Sequence, residues 1–158
     1  YFVNELGYNY RLTDIQSALG ISQLKKLDTF VKRRREISKI YNKKFSLMDG
    51  IKIPKILESN YHSYHLYPLL IDFTKLSINK KKFFEILRKK NINLQVHYIP
   101  VYKQGFLKKF KFKHRNFPIS EKFYSQEVSL PIYYSLKKKE QLTVVSNITQ
   151  VLNKYAKQ

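Results

Sequence analysis

In QVHYIP, residues 95 to 100, Gln95 and His97 stand two positions apart, so an extended chain sends both side chains to one face. An amide beside an imidazole can hold hydroxyl or amide groups of a ligand, and an imidazole can also move a proton. Tyr98 follows, and Pro100 stops the half-buried strand that the alternation Leu94, Val96, Tyr98 predicts for residues 93–98. Polar groups that converge at a strand end beside a loop suit a ligand site. A solvent-facing Gln/His pair has the same pattern. The second candidate is GYNYRLTD, residues 7 to 14. Gly7 permits a tight turn, Asn9 offers an amide donor, and a helix start follows, where backbone N–H groups and the helix dipole favour a phosphate. An Asx-turn, with Asn9 bonded to its own backbone, fits that spacing equally well.

Other constellations are excluded or weaker. His62 and His65 are three apart in an extended stretch, point to opposite faces and have no third ligand nearby, so no zinc site is expected. The chain has four glycines and no G-x-S-x-G, P-loop or G-x-G-x-x-G. With no cysteine there is neither a disulfide framework nor thiolate chemistry. GFLKKFKFKHRNF interleaves aromatics with cations, as single-strand nucleic-acid binders do, but Phe106, Phe110 and Phe112 fit equally well as anchors under a basic loop.

The positioning elements follow from periodicity. Thr13 caps a helix with Ile15, Ala18, Leu19, Leu24 and Leu27, and Asp28 stands where a second N-cap would fall. Phe30, Val31, Ile37, Ile40, Tyr41 and Phe45 stripe that second helix, whose KRRRE run reads as its wet face, and Met48-Asp49-Gly50 ends it. YHLYPLLIDF, 64 to 73, reads as a strand that Pro68 holds to an edge or a bulge. Ser77 caps a helix through Asn91, Phe106 to Phe110 form a short helix, and Pro118 opens another through about Val128. SLPIYY is extended, and Ser135 precedes a terminal helix striped by Leu142, Val145, Ile148, Leu152 and Tyr155. Helices alternating with a few strands predict a small α/β layer structure.

The 158 residues are 43% hydrophobic, enough for one domain with a real core. Lys and Arg number 31 against 11 acids, a net charge of +20. That excess fits a polyanion partner or a lysine-rich bias on solvated faces. No basic segment followed by an apolar one suggests a signal peptide, and the uncharged stretch 59–71, which no other exceeds in length, is too short to span a bilayer. A soluble cytoplasmic protein is expected, and the start at Tyr1 without Met suggests that sequence lies upstream.

GYNYRLTDIQSALGISQLKKLD resembles the segment that follows the cofactor lysine in the DegT/DnrJ/EryC1/StrS family of sugar aminotransferases. The similarity continues in order through RRREISKIYNKKF, HSYHLYPLLID, QVHYIPVYKQ, FPISEKFYSQEVSLPIY and the last helix, and QVHYIPVY looks most like the family's pseudaminic-acid branch. The resemblance implies the C-terminal portion of a fold type I transferase dependent on pyridoxal 5'-phosphate (PLP), with helices on a small, mainly antiparallel sheet. Residues 1–50 would be a helical segment linking a large cofactor domain to a small α/β domain, residues 51–158. It further implies a homodimer that moves an amino group from glutamate to C4 of a UDP-linked 4-keto sugar, with no nucleic acid and no membrane as partner. A basic nucleic-acid-binding module is the alternative. Asn9 would reach the cofactor phosphate of the partner subunit, with Arg11 supporting its loop, and Gln95, Val96, His97 and Tyr98 would contact the sugar nucleotide. None of the 31 basic residues falls in the family's SxxxK segment, so the covalent lysine is expected upstream and the chain alone is expected to be inactive. Gly105 and IYYSL depart from the family's usual residues and leave the loop geometry and the sugar open.

Overall fold

The structure is a computed structural model that describes residue 5 and residues 7–157, without the side chains of Lys108 and His114. Five helices, α1 (Asp14–Leu24), α2 (Leu27–Phe45), α3 (Lys80–Lys89), α4 (Pro118–Gln126) and α5 (Lys138–Tyr155), accompany an antiparallel sheet. Its strands are β1 (Ile51–Lys52), β2 (Tyr67–Ile71) and β3 (Glu127–Leu130), with β2 in the centre.

Register gives the sheet two unlike faces. Tyr67 pairs with Leu130 and Leu69 with Val128, and all four are buried in the main core. Pro68 and Leu70 lie opposite Ser129 and Glu127, so the alternation puts a serine and an acid on the other face. Pro68 sits in the central strand rather than at an edge. It is tolerated because β1 reaches only to Leu70, which leaves no strand beside Pro68 on that side.

Ile37, Tyr41 and Phe45 of α2, Phe83 and Leu87 of α3, and Val145, Ile148 and Leu152 of α5 fill the core cluster. Burying each large apolar side chain contributes roughly 1.5–3 kcal/mol, so this layer outweighs any single cap. Its polar tips are satisfied. Tyr41 donates to the Pro131 carbonyl at 2.8 Å, and Tyr67 donates to Asn42 Oδ1 at 2.7 Å. Burial pushes both phenols well above their ordinary range.

Several expectations shift. Thr13 and Gln16 form a reciprocal capping box on α1, yet no residue of that helix is buried, and Ile15, Leu19 and Leu24 stay exposed. α2 begins at Leu27 with Lys26 in helical geometry, so Asp28 falls in the first turn instead of capping it. KRRRE is not simply a wet face. Arg33 donates to the Leu136 carbonyl, Arg34 to those of Tyr64, His65 and Ile132, and Arg35 to that of His62.

Asn79, not Ser77, caps α3, because Ser77 is held through its N–H and hydroxyl by the Tyr155 carbonyl. α4 stops at Gln126, where pairing with β2 draws residues 127–130 into a strand. In α5 the stripe is offset. Gln141 is buried and donates to the Ile37 carbonyl at 2.8 Å, while Leu142 is 40% exposed.

Candidate functional site

The non-core face of β3 organises the first candidate. Residues 93–98 do not form the expected strand. One antiparallel bridge joins Gln95 to Ser129, with the Ser129 N–H 2.8 Å from the Gln95 carbonyl and the reverse bond at 3.3 Å. One rung further, the ladder ends because the His97 N–H donates to a side chain, Glu127 Oε2, at 3.0 Å. The other carboxyl oxygen, Oε1, accepts from the Ser129 hydroxyl at 2.5 Å. His97 Nδ1 lies 2.7 Å from that same Ser129 Oγ. Glu127 is fully buried and Ser129 nearly so, whereas His97 is half-buried and Gln95 exposed. A buried acid thus holds both the main chain and, through one hydroxyl, the ring of a half-exposed histidine.

The other two residues of the segment diverge. Tyr98 packs its exposed ring against His97 edge to face, with centroids 4.7 Å apart. Val96 lines a neighbouring cleft with Lys80, Phe84, Lys103 and Tyr124. Half-buried Lys80 donates to the Tyr124 carbonyl at 2.6 Å, and loss of solvent lowers its pKa from the usual lysine value. After Pro100 the chain is tied to α4 through Glu121, which accepts from the Tyr102 hydroxyl and from Lys103 Nζ at 2.6 Å. Desolvation, followed by the bond and charge of Glu121, pushes the Tyr102 phenol up to about 12.

The second candidate is an Asx-turn: Asn9 Oδ1 accepts from the Arg11 N–H at 3.1 Å, just ahead of the α1 cap. The two alternatives for Asn9 are therefore compatible. The turn uses its oxygen, and its amide nitrogen remains exposed without an acceptor among the described residues. Arg11 shapes this turn through its main chain. Among the described residues, no hydrogen bond or ring contact joins this turn to the Gln95–Tyr98 segment. Phe106, Phe110 and Phe112 are exposed rather than buried anchors, and Lys109 Nζ sits 4.3 Å from the Phe106 ring centre.

Reading along the chain misses Glu127 and Ser129. Their signal is an acid and a hydroxyl two apart immediately before Leu-Pro, hidden because the predicted helix end at about Val128 separates Glu127 from Ser129 in the extended SLPIYY. Nothing in the spacing links them to His97.

A small antiparallel sheet with a helical core layer on one face is the C-terminal architecture of fold type I PLP-dependent transferases. Helicobacter pylori PseC, an aminotransferase of pseudaminic-acid biosynthesis, superposes with a TM-score of 0.86 at 31% identity, over 98% of this chain and 41% of PseC. The family model for DegT/DnrJ/EryC1/StrS aminotransferases matches residues 1–149, and the chain belongs to that family. It is 43% identical over 154 residues to protein MJ1066 of Methanocaldococcus jannaschii, covering 97% of this chain and 40% of that protein. It is 39% identical over 155 residues to the UDP-4-amino-4,6-dideoxy-N-acetyl-beta-L-altrosamine transaminase of Campylobacter jejuni, again 97% of this chain and 40% of the relative. The chain therefore spans about two fifths of the length of these relatives.

Proposed function

We propose that these residues are the C-terminal part of a PLP-dependent transaminase that moves an amino group from glutamate to C4 of a UDP-linked 4-keto-6-deoxy-N-acetyl hexose. The enzyme would work as a cytoplasmic homodimer in pseudaminic-acid-type nucleotide-sugar biosynthesis. Supporting this reading most directly is the likeness, in sequence and fold, to pseudaminic-acid-pathway aminotransferases over nearly the whole chain. In this proposal residues 1–50 form the arm toward a large cofactor domain, and residues 51–158 form the small domain.

The exposed amide nitrogen of Asn9, ahead of a helix start, has the donor chemistry a phosphate requires. Asn9 is accordingly the residue of this chain that would hold the PLP phosphate, in the partner subunit's site, and Arg11 keeps the turn in shape. PLP when bound supplies the electron sink for the amino transfer. The remaining tasks fall to QVHY. Gln95 and His97 orient the sugar by hydrogen bonds, Tyr98 buttresses the imidazole, and Val96 contributes main-chain contacts because its side chain serves the neighbouring cleft. His97 orients and does not carry the chemistry, which belongs to a lysine outside these residues.

The deciding experiment supplies the full-length protein with PLP, glutamate and a UDP-4-keto sugar, and detects the amino sugar by mass spectrometry. The 158 residues alone should give no turnover. A folded, PLP-loaded full-length enzyme that leaves every UDP-4-keto sugar untouched overturns the proposal.

A further inference from the structure

We infer that Glu127 and Ser129 are positioning residues that fix His97 in its Nδ1–H tautomer, so that Nε2 is presented as a hydrogen-bond acceptor for the ligand. The use of that acceptor on a sugar nucleotide rests on the function proposed above; the tautomer does not.

A count of protons carries the inference. Ser129 has one hydroxyl hydrogen, and with Glu127 as a carboxylate, which can only accept, the 2.5 Å contact commits that hydrogen to Glu127 Oε1. Ser129 Oγ therefore has only lone pairs left for His97 Nδ1 at 2.7 Å, and Nδ1 must be the donor. A neutral imidazole has one N–H, so Nε2 is the acceptor. Glu127 cannot turn to another partner, because its Oε2 accepts the His97 main-chain N–H at 3.0 Å. Burial of Glu127 and Ser129 keeps water from competing for these bonds. The Tyr98 ring closes one side of the imidazole. The tautomer and the ring plane are both set before any ligand arrives. An Nε2 acceptor selects a ligand hydroxyl or amide N–H, whereas the opposite tautomer would offer a donor and select a carbonyl or phosphate oxygen.

The test uses full-length protein labelled with 15N-histidine, at a pH where His97 is neutral, with its signals assigned by their loss in His97→Gln. Long-range 1H–15N spectra should show a protonated Nδ1 and an unprotonated Nε2. Ser129→Ala should release the ring toward the Nε2–H form that free neutral histidine favours. Glu127→Gln is nearly isosteric and should invert the tautomer. Its amide oxygen still accepts the His97 N–H, but its amide nitrogen donates to Ser129, whose hydroxyl then donates to Nδ1. In steady state, Glu127→Gln should raise KM for the UDP-4-keto sugar about tenfold, the scale of one mismatched hydrogen bond, with kcat far less affected. An Nε2–H form in the unmodified protein, or spectra unmoved by both substitutions, overturns the inference. Inverted spectra with an unchanged KM uphold the positioning role and count against the sugar contact instead.

Discussion

Arg34 Nη1 lies 2.9 Å from the Ile132 carbonyl, and the same nitrogen reaches the Tyr64 and His65 carbonyls at 3.1 and 3.0 Å. One guanidinium thus pins α2 both to the chain ahead of β2 and to the turn after β3. Arg34→Met keeps the apolar stem but removes every donor and leaves part-buried carbonyls unanswered. It should cost about 2–3 kcal/mol, read as a lower urea midpoint at unchanged slope. Arg34→Lys should recover only part of that, because an ammonium is more strongly hydrated than a guanidinium and costs more to bring among part-buried carbonyls. An unaltered midpoint in Arg34→Met would return this run to the solvated face its sequence suggests.

Acid should weaken the fold in part through the turn between α2 and β1. Lys75 Nζ lies 2.7 Å from Asp49 Oδ1, and its hydrogen bond, then its charge, holds the Asp49 carboxyl below the usual range. Thr74 does the same for Asp72 through its hydroxyl and its N–H. A folded-state pKa below the unfolded one adds stability above the unfolded value and loses it as pH falls through the folded value. Asp49→Asn should therefore be less stable than the parent at pH 7, and the gap should begin to shrink below about pH 4 and close as pH falls through the lower folded value. Added salt should shrink it too, since the pair is exposed. Urea midpoints at pH 7 and pH 3, each with and without added salt, measure both, and a gap no smaller at pH 3 than at pH 7 would contradict the linkage.

What could be read from the chain depended on how local its cause was. Thr13 reveals the α1 cap because its partner, Gln16, is only three residues away, and the buried Val31, Ile37, Tyr41 and Phe45 of α2 follow from periodicity. Non-local partners left no trace. Ser77 looks like a cap but spends its hydroxyl on Tyr155, far along the chain, so Asn79 takes over. The alternation in 93–98 suggests a full strand, yet the carboxyl of Glu127 intercepts the His97 N–H and cuts the ladder to one rung. Gln95 and His97 were visible as candidates because two residues share a face at that spacing. The Glu127–Ser129 support was invisible because only the fold brings residue 129 to residue 97.

Asn9→Ala should weaken cofactor retention in the full-length enzyme more than it weakens folding. A charge-assisted bond to phosphate is worth about 1.5–3 kcal/mol, or about ten- to a hundred-fold in affinity. The lost turn bond to the Arg11 N–H is exposed, so its removal should cost little stability. Asn9→Asp separates the two roles: it keeps the oxygen that makes the turn but replaces the amide donor with a charge that repels phosphate. If the alanine and aspartate variants both hold PLP as tightly as the parent, Asn9 serves the turn alone. Under the proposed crossing of the dimer interface, an Asn9 variant mixed with a cofactor-lysine variant should differ in activity from either homodimer.

His97→Ala tests whether the histidine orients the sugar or takes part in the chemistry. Its imidazole is held by Ser129 and backed by Tyr98, an arrangement that fixes direction but, among the described residues, offers the ring no hydrogen-bonded base or acid to relay a proton onward except through the buried Glu127. An orienting group is needed only while the sugar nucleotide is bound, so the half-reaction with glutamate should stay near the parent rate. KM for the UDP-4-keto sugar should rise by about ten- to a hundred-fold, the equivalent of roughly 1–3 kcal/mol for a ligand group left unsatisfied. His97→Gln, which can present an amide oxygen near the former Nε2, should recover part of the loss. Single-turnover measurements of each half-reaction separate the outcomes. Equal damage to the glutamate half-reaction would make His97 part of the catalytic centre, and no change in either would leave it a surface residue with an unusually well-anchored ring.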